Sequence, residues 1–173
     1  GRHGRSWQDH PQSFKGSWVL RRMDLSSIDL RMQLFVAHEI KHVLRYEKQH
    51  TDLLKIKWPN DLLLRESSEQ KWRKFGGILF QSYSKGDEQR IVLGVGLNTE
   101  MDRLGVGQGS LAQLKVASSN TELFAMLNAV IASIFENKHP ALETHNQQMI
   151  FHDVVLQDCI YRNKVCSLSV SYT

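Results

Sequence analysis

The sequence predicts an α+β domain, a mixed or antiparallel β-sheet covered by helices on one face. Three observations lead there. Two nearly continuous apolar runs, "FGGILFQSYS" (75–84) and "RIVLGVGLN" (90–98), flank the turn-forming "KGDE", as two central strands would. One long stretch, 26–47, repeats apolar residues at spacings of three and four, the period of a helix with one buried side. The strands cluster between the helical patterns, whereas a doubly wound parallel fold would alternate strand with helix.

In chain order, "GSWVLRRM" (16–23) reads as a strand. In the helix 26–47, Leu30, Leu34, Ala37, Ile40, Val43 and Leu44 form the apolar stripe. "LLKIKWP" (53–59) is a short strand ended by Pro59, and "LLLR" (62–65) is another. "ESSEQKW" (66–72) is a polar hairpin loop leading into the two central strands. After a loop over 99–118, "SNTE" opens a helix with a capping box, Ser119 and Glu122. Its buried stripe is Leu123, Met126, Leu127, Val130, Ile131 and Ile134. "ETHNQQMIFHDVVLQ" (143–157) reads as a last helix, and "NKVCSLSVSY" (163–172) alternates like a strand entering a further small sheet. The division expected is one domain over 1–160 and the start of a second over 161–173.

Composition narrows the function. The chain has 173 residues, 41% of them apolar and 23% charged, enough to bury a core and too apolar for a disordered chain. No apolar run approaches the length of a membrane span. The net charge of +4 serves solubility or an anionic ligand such as a nucleotide, but a nucleic-acid groove would want a denser basic stripe. Cys159 and Cys166 match no zinc spacing and no disulfide framework, so reduced thiols and a cytoplasmic location are expected. The opening "GRHGRSWQDH" is polar and basic with no apolar segment behind it and no initiator Met, which reads as a fragment or a processed chain.

"VAHEIKHVL" (36–44) spells H-E-x-x-H with His38, Glu39 and His42, the pattern of a zinc hydrolase helix. Zinc hydrolysis needs a third protein ligand and an open position for water. The extended pattern wants Gly at 45 and His at 48, where Arg45 and Lys48 stand. Glu66 and Glu69 are the remaining candidates, and both sit in a polar loop. The expectation is therefore no protein-held metal, with His38, Glu39, Lys41 and His42 on a partly exposed helix face.

Four other pieces carry chemistry. "GRHGRSW" (1–7) sets two glycines and two arginines before an aromatic, which suits close backbone approach and bidentate contact with phosphate or carboxylate. "KWPND" (57–61) is good turn chemistry, and it also offers an amide and a carboxylate. In "KFGGIL" (74–79), Lys74 precedes two glycines at the mouth of an apolar strand. In "GVGLN" (94–98), Gly94 and Gly96 fall on one face of a strand and leave a slot where side chains would be, with Asn98 at the end. Each has an ordinary reading alone: a basic terminus, a turn, an edge lysine, a bulge.

In this order and spacing the pieces resemble the biotin–protein ligase family, whose signature is a Gly/Arg-rich loop ending in Trp, K-W-P-N-D, K-x-x-G-I-L and G-x-G-x-N. The resemblance spans about residues 1–171. It implies the biotin/lipoate ligase catalytic fold, with the C-terminal strand beginning the family's small β-barrel. It also implies an ATP-dependent ligase that makes biotinyl-5'-adenylate and passes biotin to a lysine of a carboxylase's biotin carboxyl carrier domain. By resemblance, Gly1 and Arg2 belong to the loop closing over biotin and the adenylate, Arg5 faces the triphosphate, and Trp7 ends the loop. Lys74 contacts the biotin carboxylate and the α-phosphate, and with Arg2 is the catalytic pair. Asn98 lies on the nucleotide and Mg²⁺ side, Mg²⁺ entering with ATP. Lys57, Asn60 and Asp61 form a supporting turn near the acceptor lysine's approach. Gly77, Gly94 and Gly96 line the biotin slot.

There are departures. The family's Ser/Thr-rich biotin motif lies upstream of "GRHGRSW", and Arg21 and Arg22 stand near where the family places a small Ser by biotin. The alternatives are a degenerate or truncated module that binds biotinyl-adenylate or forms a homodimer without catalysis, a lipoate or octanoate transferase, which "KWPND" argues against, and the zinc hydrolase.

Overall fold

The computed structural model describes residues 13–20, 30–46, 53–67, 71–86, 88–102, 104–114 and 119–135. The expected last helix and C-terminal strand lie outside the described residues, as does the division at residue 160. The elements are β1 (Phe14–Leu20), α1 (Leu30–Tyr46), β2 (Leu54–Lys57), β3 (Asp61–Leu64), β4 (Arg73–Lys85), β5 (Glu88–Leu97), a short 3₁₀ turn (Leu111–Leu114) and α2 (Asn120–Phe135). The five strands form one sheet in the order β1-β5-β4-β3-β2, every neighbouring pair antiparallel. The α+β architecture expected from the sequence is the one observed.

Residues directly opposite each other on antiparallel strands share a face, and successive residues alternate faces. The register therefore reads as rows across the sheet. Phe14, Leu97, Gly76, Leu62 and Ile56 make one row, Gly16, Val95 and Ile78 the next, and Trp18, Leu93 and Phe80 a third. These rows face the helices: Trp18 stacks on Phe124 of α2 with ring centroids 5.7 Å apart, and Phe80 meets Phe135 edge-on. α1 packs over β2, β3 and β4, α2 packs on β1, and the two helices touch. Burying these rows with the helix stripes drives the fold, at about 1.5–3 kcal/mol for each large apolar side chain enclosed.

The elements differ in detail from the sequence reading. β1 begins at Phe14, because Phe14 pairs with Leu97 and is buried in the core. Residues 21–23 of the expected strand, with Arg21 and Arg22, lie outside the described residues, as do 26–29 of the expected helix. Within the loop 99–118, residues 111–114 wind into the 3₁₀ turn and bury Leu111 and Leu114. The capping box forms as expected: the Ser119 backbone N–H donates to Glu122 Oε2 at 2.8 Å and the Glu122 N–H to Ser119 Oγ at 3.2 Å.

The expectation for the α1 face is corrected. His38 and Lys41 are buried, Glu39 is half-buried, and only His42 of the four is exposed. α1 packs on the sheet and also against α2, so more than one stripe of it is enclosed. Met32 through His38 are buried without a break.

Candidate functional site on the open sheet face

The alternate rows of the same strands face away from the helices. Lys57, Asp61, Gly77, Gly96 and Lys15 lie in register across the whole sheet, from β2 to β1. Leu79, Gly94 and Ser17 form the next row, and Gln81, Val92 and Val19 the one after. The slot expected at Gly94 and Gly96 is thus a two-strand glycine floor, since Gly77 on β4 faces Gly96 on β5. A methyl added at Gly94 would meet only the Leu79 carbonyl, at 3.7 Å. At Gly76, on the helix side, it would meet Leu97 Cδ2 at 2.6 Å and the Gly96 carbonyl at 2.8 Å. The two positions are glycine for different reasons, open space above the sheet and close packing beneath it.

Lys74 would face the helices if β4 alternated regularly from Gly76. It does not, because the register shifts between Leu62 and Leu63: Leu62 faces Gly76 while Leu63 faces Lys74. Phe75 is the extra residue of a β-bulge. That one residue turns Lys74 onto the open face, where its Nζ donates to Asp61 Oδ1 at 2.5 Å. The pair is partly exposed, 40% for the lysine side chain and 23% for the aspartate. It is therefore within reach of a ligand.

The backbone around Lys74 is held on both sides. Its N–H donates to the Gly107 carbonyl at 2.9 Å, and its carbonyl accepts from the Gly109 N–H at 2.8 Å. Gly107 adopts φ of 78°, a left-handed conformation that glycine takes without strain. Asn98 locks the same corner. Its N–H donates to the Phe75 carbonyl at 2.7 Å, its side-chain amide to the Gly109 carbonyl at 3.0 Å, and its carbonyl accepts from the Leu111 N–H at 2.9 Å. Asn98 is 6% exposed. Asn98 thus ties residues 109 and 111 to the start of β4.

The K-W-P-N-D turn joins β2 to β3. Asn60 pins it to β4, its side-chain amide donating to the Ile78 carbonyl and its own carbonyl accepting from the Ile78 N–H, both at 3.0 Å. Asp61 is thereby held opposite Gly77. Gln33, missed by the sequence reading, is 4% exposed on α1, and its side-chain amide donates to the Pro59 carbonyl at 3.2 Å. The signal was a polar residue at the spacing of the apolar stripe, three after Leu30 and four before Ala37.

Of the expected site residues, Lys57, Asn60, Asp61, Lys74, Gly77, Gly94, Gly96 and Asn98 are brought to one region of the sheet. Gly1, Arg2, Arg5 and Trp7 lie outside the described residues. His38 and His42 are in edge contact, ring centroids 4.3 Å apart, on the helix layer across the sheet from the lysine row. Among the described residues no group of three His, Cys, Asp or Glu side chains could hold a metal ion. No helix among them is long and apolar enough to cross a membrane.

Residues 1–98 match the family model described as the biotin/lipoate A/B protein ligase family. The chain is 31% identical over 155 residues to the bifunctional ligase/repressor BirA of Escherichia coli strain K12, covering 86% of this chain and 44% of that protein. It is 31% identical over 99 residues to the biotin–[acetyl-CoA-carboxylase] ligase of Paracoccus denitrificans, covering 57% of this chain and 39% of that one. The chain thus spans less than half the length of these curated relatives. Its fold superimposes on the biotin protein ligase of Aquifex aeolicus in complex with biotin and ATP with a TM-score of 0.68 and 18% identity, over 93% of this chain and 64% of that one.

Proposed function

The chain belongs to the biotin/lipoate A/B protein ligase family, and from that premise we propose that it carries the catalytic part of an ATP-dependent biotin–protein ligase. The reaction first joins the biotin carboxylate to the α-phosphorus of ATP, with pyrophosphate leaving, and then passes the biotinyl group to a lysine of a biotin carboxyl carrier domain. The relatives with curated names, a ligase/repressor and a biotin–[acetyl-CoA-carboxylase] ligase, support this reading.

The observation that carries it is the cation Lys74 beside a glycine-floored slot on the open face. Two anions must meet for the first step, so a fixed positive charge lowers the barrier more than a protein nucleophile would. The Phe75 bulge aims the lysine, the contacts with Gly107 and Gly109 fix its backbone, and Asp61 holds its ammonium near Gly77. A ligand carboxylate at that point can take over the hydrogen bond that Asp61 now accepts. The slot runs from this charged row past Ser17, Gly94 and Leu79 to Val19 and Val92. It therefore suits a molecule with an anionic end and an apolar body. Mg²⁺ accompanies ATP through its phosphates.

The test is ATP–pyrophosphate exchange by the purified protein, with biotin and then with lipoate. Exchange that requires biotin, with labelling of a carrier-domain lysine, is expected. Exchange with lipoate alone would move the assignment to the other branch of the family. A protein that binds biotinyl-adenylate but makes none would be a binding module.

A further inference from the structure

Lys15 belongs to the same row as Asp61, Gly77 and Gly96, at the opposite end of the glycine floor from Lys74. Its side chain is exposed on the open face. From Asp61 to Lys15 is three interstrand spacings of about 4.8 Å, about 14 Å between backbones. Both lysine side chains can lean in over the glycines, since neither Gly77 nor Gly96 carries a side chain to obstruct them. The glycine floor thus has cations on both banks: Lys57 of the same row and Lys74, whose ammonium is held by Asp61, on one, and Lys15 on the other.

We propose that Lys15 is a nucleotide-binding residue that holds the β- and γ-phosphates of ATP, the half that leaves as pyrophosphate. This rests on the ligase reading above. In the reaction a carboxylate oxygen forms a bond to the α-phosphorus, and the bond from that phosphorus to the bridging oxygen breaks. The pyrophosphate departs with the electron pair. Three groups extend from the reacting centre: the apolar ring system and chain, the adenosine, and the pyrophosphate. Only the pyrophosphate is anionic, so it is the group that gains from a second cation two strands away from the first. The rest of the open face of β1 agrees with this. Past Lys15 it carries Ser17 and then Val19, so the positive end of the slot is confined to the row of Asp61 and Lys15, which the Lys74 ammonium reaches through Asp61.

The test compares the unmodified protein with Lys15→Gln and Lys15→Arg. Because Lys15 is exposed, both variants should fold, which circular dichroism and a melting curve verify. One measurement is binding of inorganic tripolyphosphate by calorimetry, which needs no biotin. Lys15→Gln should weaken it roughly three- to tenfold, less than a buried charge-assisted contact because the site is wet, and Lys15→Arg should retain it. The other is steady-state exchange. Lys15→Gln should raise the KM for ATP and weaken pyrophosphate as the reverse substrate by the same factor, leaving the KM for biotin within about twofold. Equal tripolyphosphate binding by the unmodified protein and Lys15→Gln overturns the assignment, as does an equal rise in KM for both substrates. Absence of biotin-dependent exchange in the unmodified protein overturns the ligase reading instead, and the tripolyphosphate comparison still decides whether Lys15 binds phosphate.

Discussion

The two faces of the sheet are made by the same strands, yet they are built for opposite purposes. Toward the helices, Ile56, Leu62, Ile78, Leu93, Val95 and Leu97 are each 3% exposed or less. Toward the open side, one residue along each strand, stand Lys57, Asp61, Gly77, Gly96 and Lys15. The first face is filled to keep water out; the second leaves a floor of bare backbone with charges at its rim. The difference teaches that stability and chemistry are divided by the two-residue period of a strand, so a substitution acts on one or the other according to its phase.

Lys74→Ala gives the sharpest test of that division. Losing the preorganised charge should cut biotin-dependent adenylate formation roughly 100-fold or more, about 3 kcal/mol, while the melting temperature stays near that of the parent. Pyrophosphate exchange and a thermal melt measure the two quantities. Near-normal exchange would remove Lys74 from the reaction. Leu93→Ala, on the other face, should do the converse. It deletes a fully buried side chain and should cost about 2–5 kcal/mol in urea unfolding, with activity per folded molecule retained in the cold.

The glycines give a smaller and finer comparison. Gly76→Ala pushes a methyl against Leu97 and the Gly96 carbonyl and should cost about 1–3 kcal/mol of stability. Gly94→Ala has room in the protein and should melt like the parent, but its methyl enters the slot, so biotin affinity should fall. If calorimetry shows unchanged biotin binding by Gly94→Ala, the slot does not take biotin. The smallest effect is expected at His42→Ala on the exposed part of α1. It should change stability by no more than about 0.5 kcal/mol and leave exchange as it was. A stoichiometric zinc lost on that substitution, seen by elemental analysis, would reopen the metal reading of "HEIKH".

Much of this was legible beforehand. The apolar runs 75–84 and 90–98 fixed two central strands because a strand covered by helices must be apolar along its covered face. Ser119 and Glu122 marked the start of α2 because orphan N–H groups need acceptors there. Lys74, Asp61 and the glycines could be picked out by their order in the chain. What could not be read was their common face. "KFGGIL" gives no sign of a bulge, and regular alternation from Gly76 would send Lys74 into the helices. The burial of His38 and Lys41 was also hidden, because local periodicity reports one apolar stripe and says nothing of how many neighbours enclose a helix. Gln33 was visible as a polar residue in an apolar stripe, but its acceptor, the Pro59 carbonyl, lies 26 residues away and only the fold brings them together.

The bulge at Phe75 also decides which parts of this chain can change length. β4 beyond Gly76 takes its phase from ten residues of pairing with β5, and Lys74 takes its phase from the bulge. The segment 65–72 comes earlier, its base closed by the Arg65 guanidinium lying 4.5 Å from the centre of the Trp72 ring. Residues gained or lost between those two side chains are absorbed before β4 begins and leave the lysine's aim untouched. One residue lost between Lys74 and Gly77 would turn the ammonium through the sheet. Insertions and deletions should therefore accumulate freely on one side of Arg73 and be purged on the other, a boundary in the chain's tolerance set by a single supernumerary phenylalanine.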